Sequence, residues 1–174
     1  MTAFRLTRCA TTLILALGAV LLGSSGASGQ ASVTSFQDQE PLPPLAALPE
    51  CLDTTVGTQT GTETTTGQAV FSNADGTFHS HGTTTLDYRV VFADGRYVVG
   101  SSVEHFSFNF NAPVSTNTVA IQEIRTIFGA DGQVTGTVMI HALSHVTFRD
   151  TNGNFAPDPG EITVSVDRFF FTCG

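Results

Sequence analysis

The sequence predicts an all-β domain: a single antiparallel meander of about six to eight strands, closed into a barrel in preference to a sandwich. Three observations predict it. The tripeptide Ala-Asp-Gly recurs at Ala74–Gly76, Ala93–Gly95 and Ala130–Gly132, each time between runs rich in Val, Ile, Thr and Phe. Asp and Gly accept the positive φ that tight hairpins demand, so each repeat marks a reversal between antiparallel strands. The runs between the repeats alternate: Val134, Gly136, Val138, Ile140, Ala142, Val146 and Phe148 share one parity, as do Leu86, Tyr88, Val90 and Phe92. Finally, Cys51 and Cys173 stand at the two ends of the patterned region. A disulfide holds its Cα atoms about 6 Å apart, so bridging them would set the start of the first strand beside the end of the last. That favours closure.

In chain order, residues 1–29 read as a secretory signal peptide. Arg5 and Arg8 precede an apolar run from Ala10 to Leu22, and small residues follow through Gly29. The run is shorter than the roughly 20 residues that span a bilayer as a helix. No membrane span is expected in the mature chain. Residues 30–50 carry four prolines without periodicity and read as a flexible linker. The β domain occupies 51–174, with strands expected at 53–72, 77–92, 96–110, 117–128, 133–149 and 161–173. Glycines within these long runs would let them bend. Two Thr-rich stretches, 54–66 and 83–85, suit exposed strand faces.

Removal of the signal leaves five Arg, no Lys and all fifteen Asp and Glu, a formal charge of −10. Anionic membrane surfaces would be repelled by that charge, and nucleic acid is not expected as a partner. Cys9 leaves with the signal, so the mature chain keeps one pair of cysteines. In an exported protein such a pair reads as a disulfide. It would enclose a loop of 121 residues, and closing a loop of that size stabilises by roughly 4–5 kcal/mol in the chain-entropy model. Neither cysteine has a neighbouring His or a C-x-x-C partner, which argues against a catalytic thiol or a metal ligand.

The most specific segment is Asp150-Thr-Asn-Gly-Asn-Phe-Ala-Pro-Asp-Pro-Gly-Glu161. Calcium takes six to eight oxygens, and a 12-residue loop supplies them from positions 1, 3, 5, 7, 9 and 12. Those positions are Asp150, Asn152, Asn154, Ala156 (through its carbonyl), Asp158 and Glu161. The segment resembles the EF-hand-like loop of bacterial surface-adhesin modules, which implies calcium as the cofactor. It departs from that pattern at Phe155, where Gly is expected, and at Pro157 and Pro159. A solvated loop of turn-forming residues is the alternative.

Two further groups carry chemistry. His79 and His81, and likewise His141 and His145, project in pairs from one strand face, and His105 beside Glu104 would add a ligand for zinc or copper. The parity of His141 and His145 matches Gln133, Thr135 and Thr147, so ordinary surface histidines are the favoured reading. Glu104, Glu123, Arg125 and Arg168 share parity with apolar neighbours. In a closed sheet they would be structural ion pairs or would line a pocket in the barrel mouth. No nucleophile elbow, zinc-protease helix motif or phosphate loop is present. The expected function is thus a secreted binding or surface-interaction module for an extracellular ligand or surface. The competing class is a small barrel enzyme, an isomerase or cyclase, using Glu104 or Glu123 with Arg125 or Arg168.

Overall fold

The computed structural model describes residues 31–47, 56–151, 158 and 160–174. The expected signal peptide and Cys51 lie outside them. The described chain is all β, with eight strands: β1 (Ala31–Pro41), β2 (Leu45–Ala47), β3 (Val56–Ser72), β4 (Phe78–Val91), β5 (Tyr97–Asn111), β6 (Val114–Phe128), β7 (Val134–Arg149) and β8 (Ile162–Cys173). They form one antiparallel sheet in the order β1-β3-β4-β5-β6-β7-β8, with β2 also paired to β3. From β3 onward every neighbour in sequence is a neighbour in space. The expected strands are all present within a few residues.

The repeated turns share one chemistry. Asp75, Asp94 and Asp131 each accept a hydrogen bond through Oδ1 from the backbone N–H two residues on, at 3.1 Å in all three turns. At the second and third turns the following glycine takes a φ of 87° (Gly95) or 80° (Gly132), the left-handed region that a side chain disfavours. The flanking residues close the loops: Phe92 N–H donates to the Arg96 carbonyl at 2.9 Å, and Gly129 N–H to the Gln133 carbonyl at 2.8 Å. These are hairpins of three-residue loops. A further reversal, at Ala112-Pro113, has a cis peptide and joins Asn111 to its partner Val114.

Residues expected to belong to a flexible linker are instead structured. β1 pairs with β3 from Ala31↔Ser72 to Pro41↔Thr62, and β2 continues along the same edge from Leu45↔Thr58 to Ala47↔Val56. Between them Leu42 N–H donates to the Gly61 carbonyl and Gln59 N–H to the Pro44 carbonyl. The prolines are tolerated because an edge strand has one side that needs no N–H donor.

A single sheet with no second layer among the described residues nonetheless buries one face. Val90, Val98 and Val138 are fully buried, and Phe148 nearly so. The sheet must roll onto itself to achieve this. Two apolar clusters result. Leu42, Tyr88, Val90, Phe92, Val98, Ile127, Val138 and Ile140 form one at the end carrying the Ala93 and Ala130 turns. Ala69, Phe78, Phe108 and Phe148 form the other, with Phe36, Phe71, Phe110 and Val146 packed against it. A buried polar belt of Thr65, Thr84, Ser102, Glu104 and Glu123 separates them. The rolled sheet is open, however. Among the described residues β1 and β8 are its two edges, so the strand pairing does not close the barrel expected from sequence.

The roll depends on glycines that leave room for aromatic rings lying flat on the sheet. A Cβ at Gly100 would sit 2.2 Å from Cζ of Tyr88, whose ring crosses β5 at that point. Gly67 and Gly82 face each other across β3 and β4, and the rings of Phe36 and Phe106 cover them from either side. Overpacking of this kind costs about 1–3 kcal/mol. Gly100→Ala is therefore expected to lower stability by that amount in urea titrations. In a Tyr88→Ala background the same substitution should cost far less, because the clash has been removed; equal costs in the two backgrounds would refute the packing role.

Candidate functional site

The belt between the two clusters brings together three of the four charged residues singled out by parity. The cross-strand register sets Tyr88 opposite Gly100 and Gly100 opposite Arg125, so the Tyr88 ring bridges from β4 across β5 to β6. There the phenol donates to Oε1 of Glu123, and Arg125 Nε donates both to Tyr88 Oη at 2.9 Å and to Glu123 Oε1 at 2.8 Å. Glu123 and Arg125 are 2 % and 3 % exposed. Glu104 is also buried on this face, opposite Thr84 and Ile121. Thr84 shares a 2.9 Å hydrogen bond with Thr65 across the next pair of strands.

Arg168 does not join them. Sequence parity groups it with Val164, Val166 and Phe170 on the core face, but a register shift between Thr147 and Phe148 pairs Phe148 with Ile162 and Thr147 with Val164, leaving Thr163 as the extra residue. A bulge of one residue reverses the alternation. Arg168 therefore stands opposite Leu143, on the face of His141 and His145, while Asp167 stands opposite Ser144 on the inner side and accepts a 2.7 Å hydrogen bond from its hydroxyl. Tyr88, by contrast, belongs to the cluster, although its parity marks only an apolar position. The signal for it was present: a tyrosine on an apolar parity needs a buried partner for its hydroxyl, and Gly100 on the next strand has no side chain to block it.

The cluster is self-contained chemistry. The guanidinium balances the carboxylate, and the phenol takes a further lone pair, so the buried pair meets the condition under which ionised groups are tolerated inside a fold. Burial, followed by the adjacent Glu123 charge, raises the Tyr88 phenol well above its ordinary value of 10.0. A shallow groove at the β1–β3–β4 edge is lined by Phe36, Gly67, Gly82 and the polar side chains of Ser35, Gln37, Thr66, Gln68 and Thr83, none of them a member of the cluster.

The loop singled out for calcium is described only in part. Asn152, Asn154 and Ala156 lie outside the described residues. Glu161 is buried and folds back over the loop: Oε1 accepts from Thr151 N–H at 2.8 Å and from the Thr151 hydroxyl, and Oε2 accepts from Asp158 N–H at 3.4 Å. Glu161 N–H donates to the Asp158 carbonyl at 3.1 Å, and Asp150, also buried, donates its N–H to the Pro113 carbonyl. Among the described residues no three His, Cys, Asp or Glu side chains are grouped to hold a metal ion. His105 and Glu104 cannot act together, since they are consecutive residues on opposite faces of β5. Cys173 pairs with Val138 at the end of β8 and is not free, while Cys51 lies outside the described residues.

Comparison with protein-family models, with curated proteins and with solved structures found no match. The functional reading therefore rests on the residues themselves.

Two outcomes test the cluster. Arg125→Met should cost about 3–5 kcal/mol, because it strands a buried carboxylate, and an apolar replacement of both partners, Glu123→Leu with Arg125→Met, should recover much of it. A double variant no more stable than the single one would contradict the account. The raised Tyr88 value means that the folded state favours the neutral phenol. Its contribution is complete below pH 10.0 and is lost as pH rises beyond it. Denaturation midpoints measured from pH 8 to 12 should fall above about pH 10, and this fall should be shallower in Tyr88→Phe.

Proposed function

We propose that the chain is an exported binding or surface-interaction module, with the loop 150–161 stabilised by calcium and with Cys51 joined to Cys173. The observation that carries this reading is the state of the inner polar cluster. Glu123, Arg125 and Tyr88 are enclosed and committed to one another, which leaves no reacting group of that set to meet a substrate. The isomerase or cyclase alternative needs those groups in an accessible mouth, and Arg168 is on the other face.

Support for interaction comes from β8. Its residues are exposed throughout, and Phe169, Phe170 and Phe171 show 50 %, 64 % and 51 % of their surfaces on both sides of the sheet edge. Phe169 and Phe171, with ring centroids 6.0 Å apart on one side, make exposed apolar surface of the kind that marks contact sites. The acidic charge of −10 favours cationic or neutral partners. Support for calcium comes from Glu161, the bidentate position of the pattern, which is buried and turned onto the loop, and from Asp150 buried at the loop's first position. Asp150, Asp158 and Glu161 would supply the negative charge that a hard cation requires. Support for the disulfide comes from placement. Cys173 ends its strand at the same end of the sheet as Val56 begins β3, four residues after Leu52 and five after Cys51. A bridge there would fasten the two margins of an open sheet.

Thermal melts of the mature domain should rise by about 3–5 °C in 10 mM calcium relative to chelator, as expected for millimolar-class affinity. The rise should vanish in Glu161→Ala; a rise of equal size in that variant, or none in the wild type, would remove calcium from the reading. Intact mass with and without reductant tests the disulfide, and two free thiols in the oxidised protein would overturn it.

A further inference from the structure

The outer face of β4 carries a second arrangement, independent of the calcium loop and of the inner cluster. His79 and His81 stand two residues apart on one side of the strand, with ring centroids 5.2 Å apart. Nδ1 of His81 lies 3.2 Å from Nε2 of His79. The other nitrogen of His79, Nδ1, meets Oδ1 of Asn109 on the neighbouring strand. That amide stands with Nδ2 donating to Ser107 Oγ at 3.4 Å and to Thr116 Oγ1 at 3.3 Å, so that its oxygen faces His79. With the amide so placed its oxygen accepts from Nδ1 of His79, and the tautomer that carries the proton there leaves the Nε2 lone pair aimed toward His81.

We propose that His79 Nε2 and His81 Nδ1 form a two-imidazole site for a divalent transition metal, with copper(II) bound most tightly and water completing the coordination; the proton His81 Nδ1 shares with His79 Nε2 moves to Nε2 of His81 as the ion binds. A tetragonal copper(II) ion with metal–nitrogen bonds of about 2.0 Å holds cis nitrogens about 2.8 Å apart, so the rings, now 3.2 Å apart at these nitrogens, need approach by only a few tenths of an ångström. A ligating imidazole characteristically donates its second ring N–H to a carbonyl or carboxylate, which fixes tautomer and orientation, and Asn109 fills that role here. Copper heads the order of affinities of nitrogen sites for divalent first-row metals. Two other histidines of this face, His145 and His105, are arranged differently. His145 has both ring nitrogens against threonines, Nδ1 at 2.7 Å from Thr118 Oγ1 and Nε2 at 3.3 Å from Thr147 Oγ1, and His105 has Nδ1 at 3.1 Å from Thr83 Oγ1. Two protein ligands and an exposed position make the site an open and exchanging one.

The test is titration of the folded mature chain with copper(II) alone, followed by calorimetry and electron paramagnetic resonance. One copper per chain is expected, with hyperfine structure from two imidazole nitrogens. His79→Ala and His81→Ala should each weaken binding at least tenfold, and Asn109→Ala by about tenfold through loss of the orienting acceptor. His145→Ala should leave it unchanged. Undiminished binding in the His79→Ala/His81→Ala double variant would place the metal elsewhere and overturn the proposal, as would an equal loss in His145→Ala or the absence of binding by the wild type.

Discussion

A lone sheet has no second layer to cover it, so its core exists only if the sheet curls far enough for distant strands to share one interior. Everything else in the molecule depends on that constraint. Large side chains crowd the inner face of a curling sheet, and here the crowding is relieved by clearing the strand beneath each ring. Gly67 and Gly82 make a bare patch two strands wide, over which Phe36 arrives from β1 and Phe106 from β5, with ring centroids 6.4 Å apart and planes 21° from parallel. Gly100 does the same for Tyr88. Glycine weakens a strand locally, but here it lets aromatic bulk spread sideways instead of stacking upward.

The same clearing positions the polar belt. Because Tyr88 lies across β5, its hydroxyl reaches Arg125 and Glu123 two strands away. A charged pair inside a domain is weak evidence for stability on its own. Its value here is registry: the carboxylate, guanidinium and phenol satisfy one another only when β4, β5 and β6 are aligned as they are. A slip of one residue would turn Glu123 and Arg125 outward and leave the phenol without a partner.

The hairpins were legible because their cause is local. The Asp carboxylate caps its own turn and the following Gly takes the left-handed backbone, so Asp75, Asp94 and Asp131 announce three reversals without reference to anything distant. The inward direction of Glu104, Glu123 and Arg125 was legible for the same reason, since parity along one strand is local too. What escaped was set from outside the segment. Residues 31–41 are rich in polar side chains and become a strand because β3 offers an unpaired edge. Arg168 changed faces because of an extra residue opposite Thr147 and Phe148, which shows in no single-strand pattern. Tyr88 required knowledge of which glycine stood across from it.

That extra residue has a consequence for the exposed margin of the sheet. A free strand running Ile162 to Phe171, rich in Val and Phe, is a natural template for fibrous self-association. Consecutive strand residues point to opposite faces, and the bulge decides which: Asp167 faces inward opposite Ser144 and Arg168 outward opposite Leu143. A second sheet approaching this margin would have to bury a charge whichever face it presented. The strand with the most exposed apolar surface thus carries a charge on each of its sides, one residue apart.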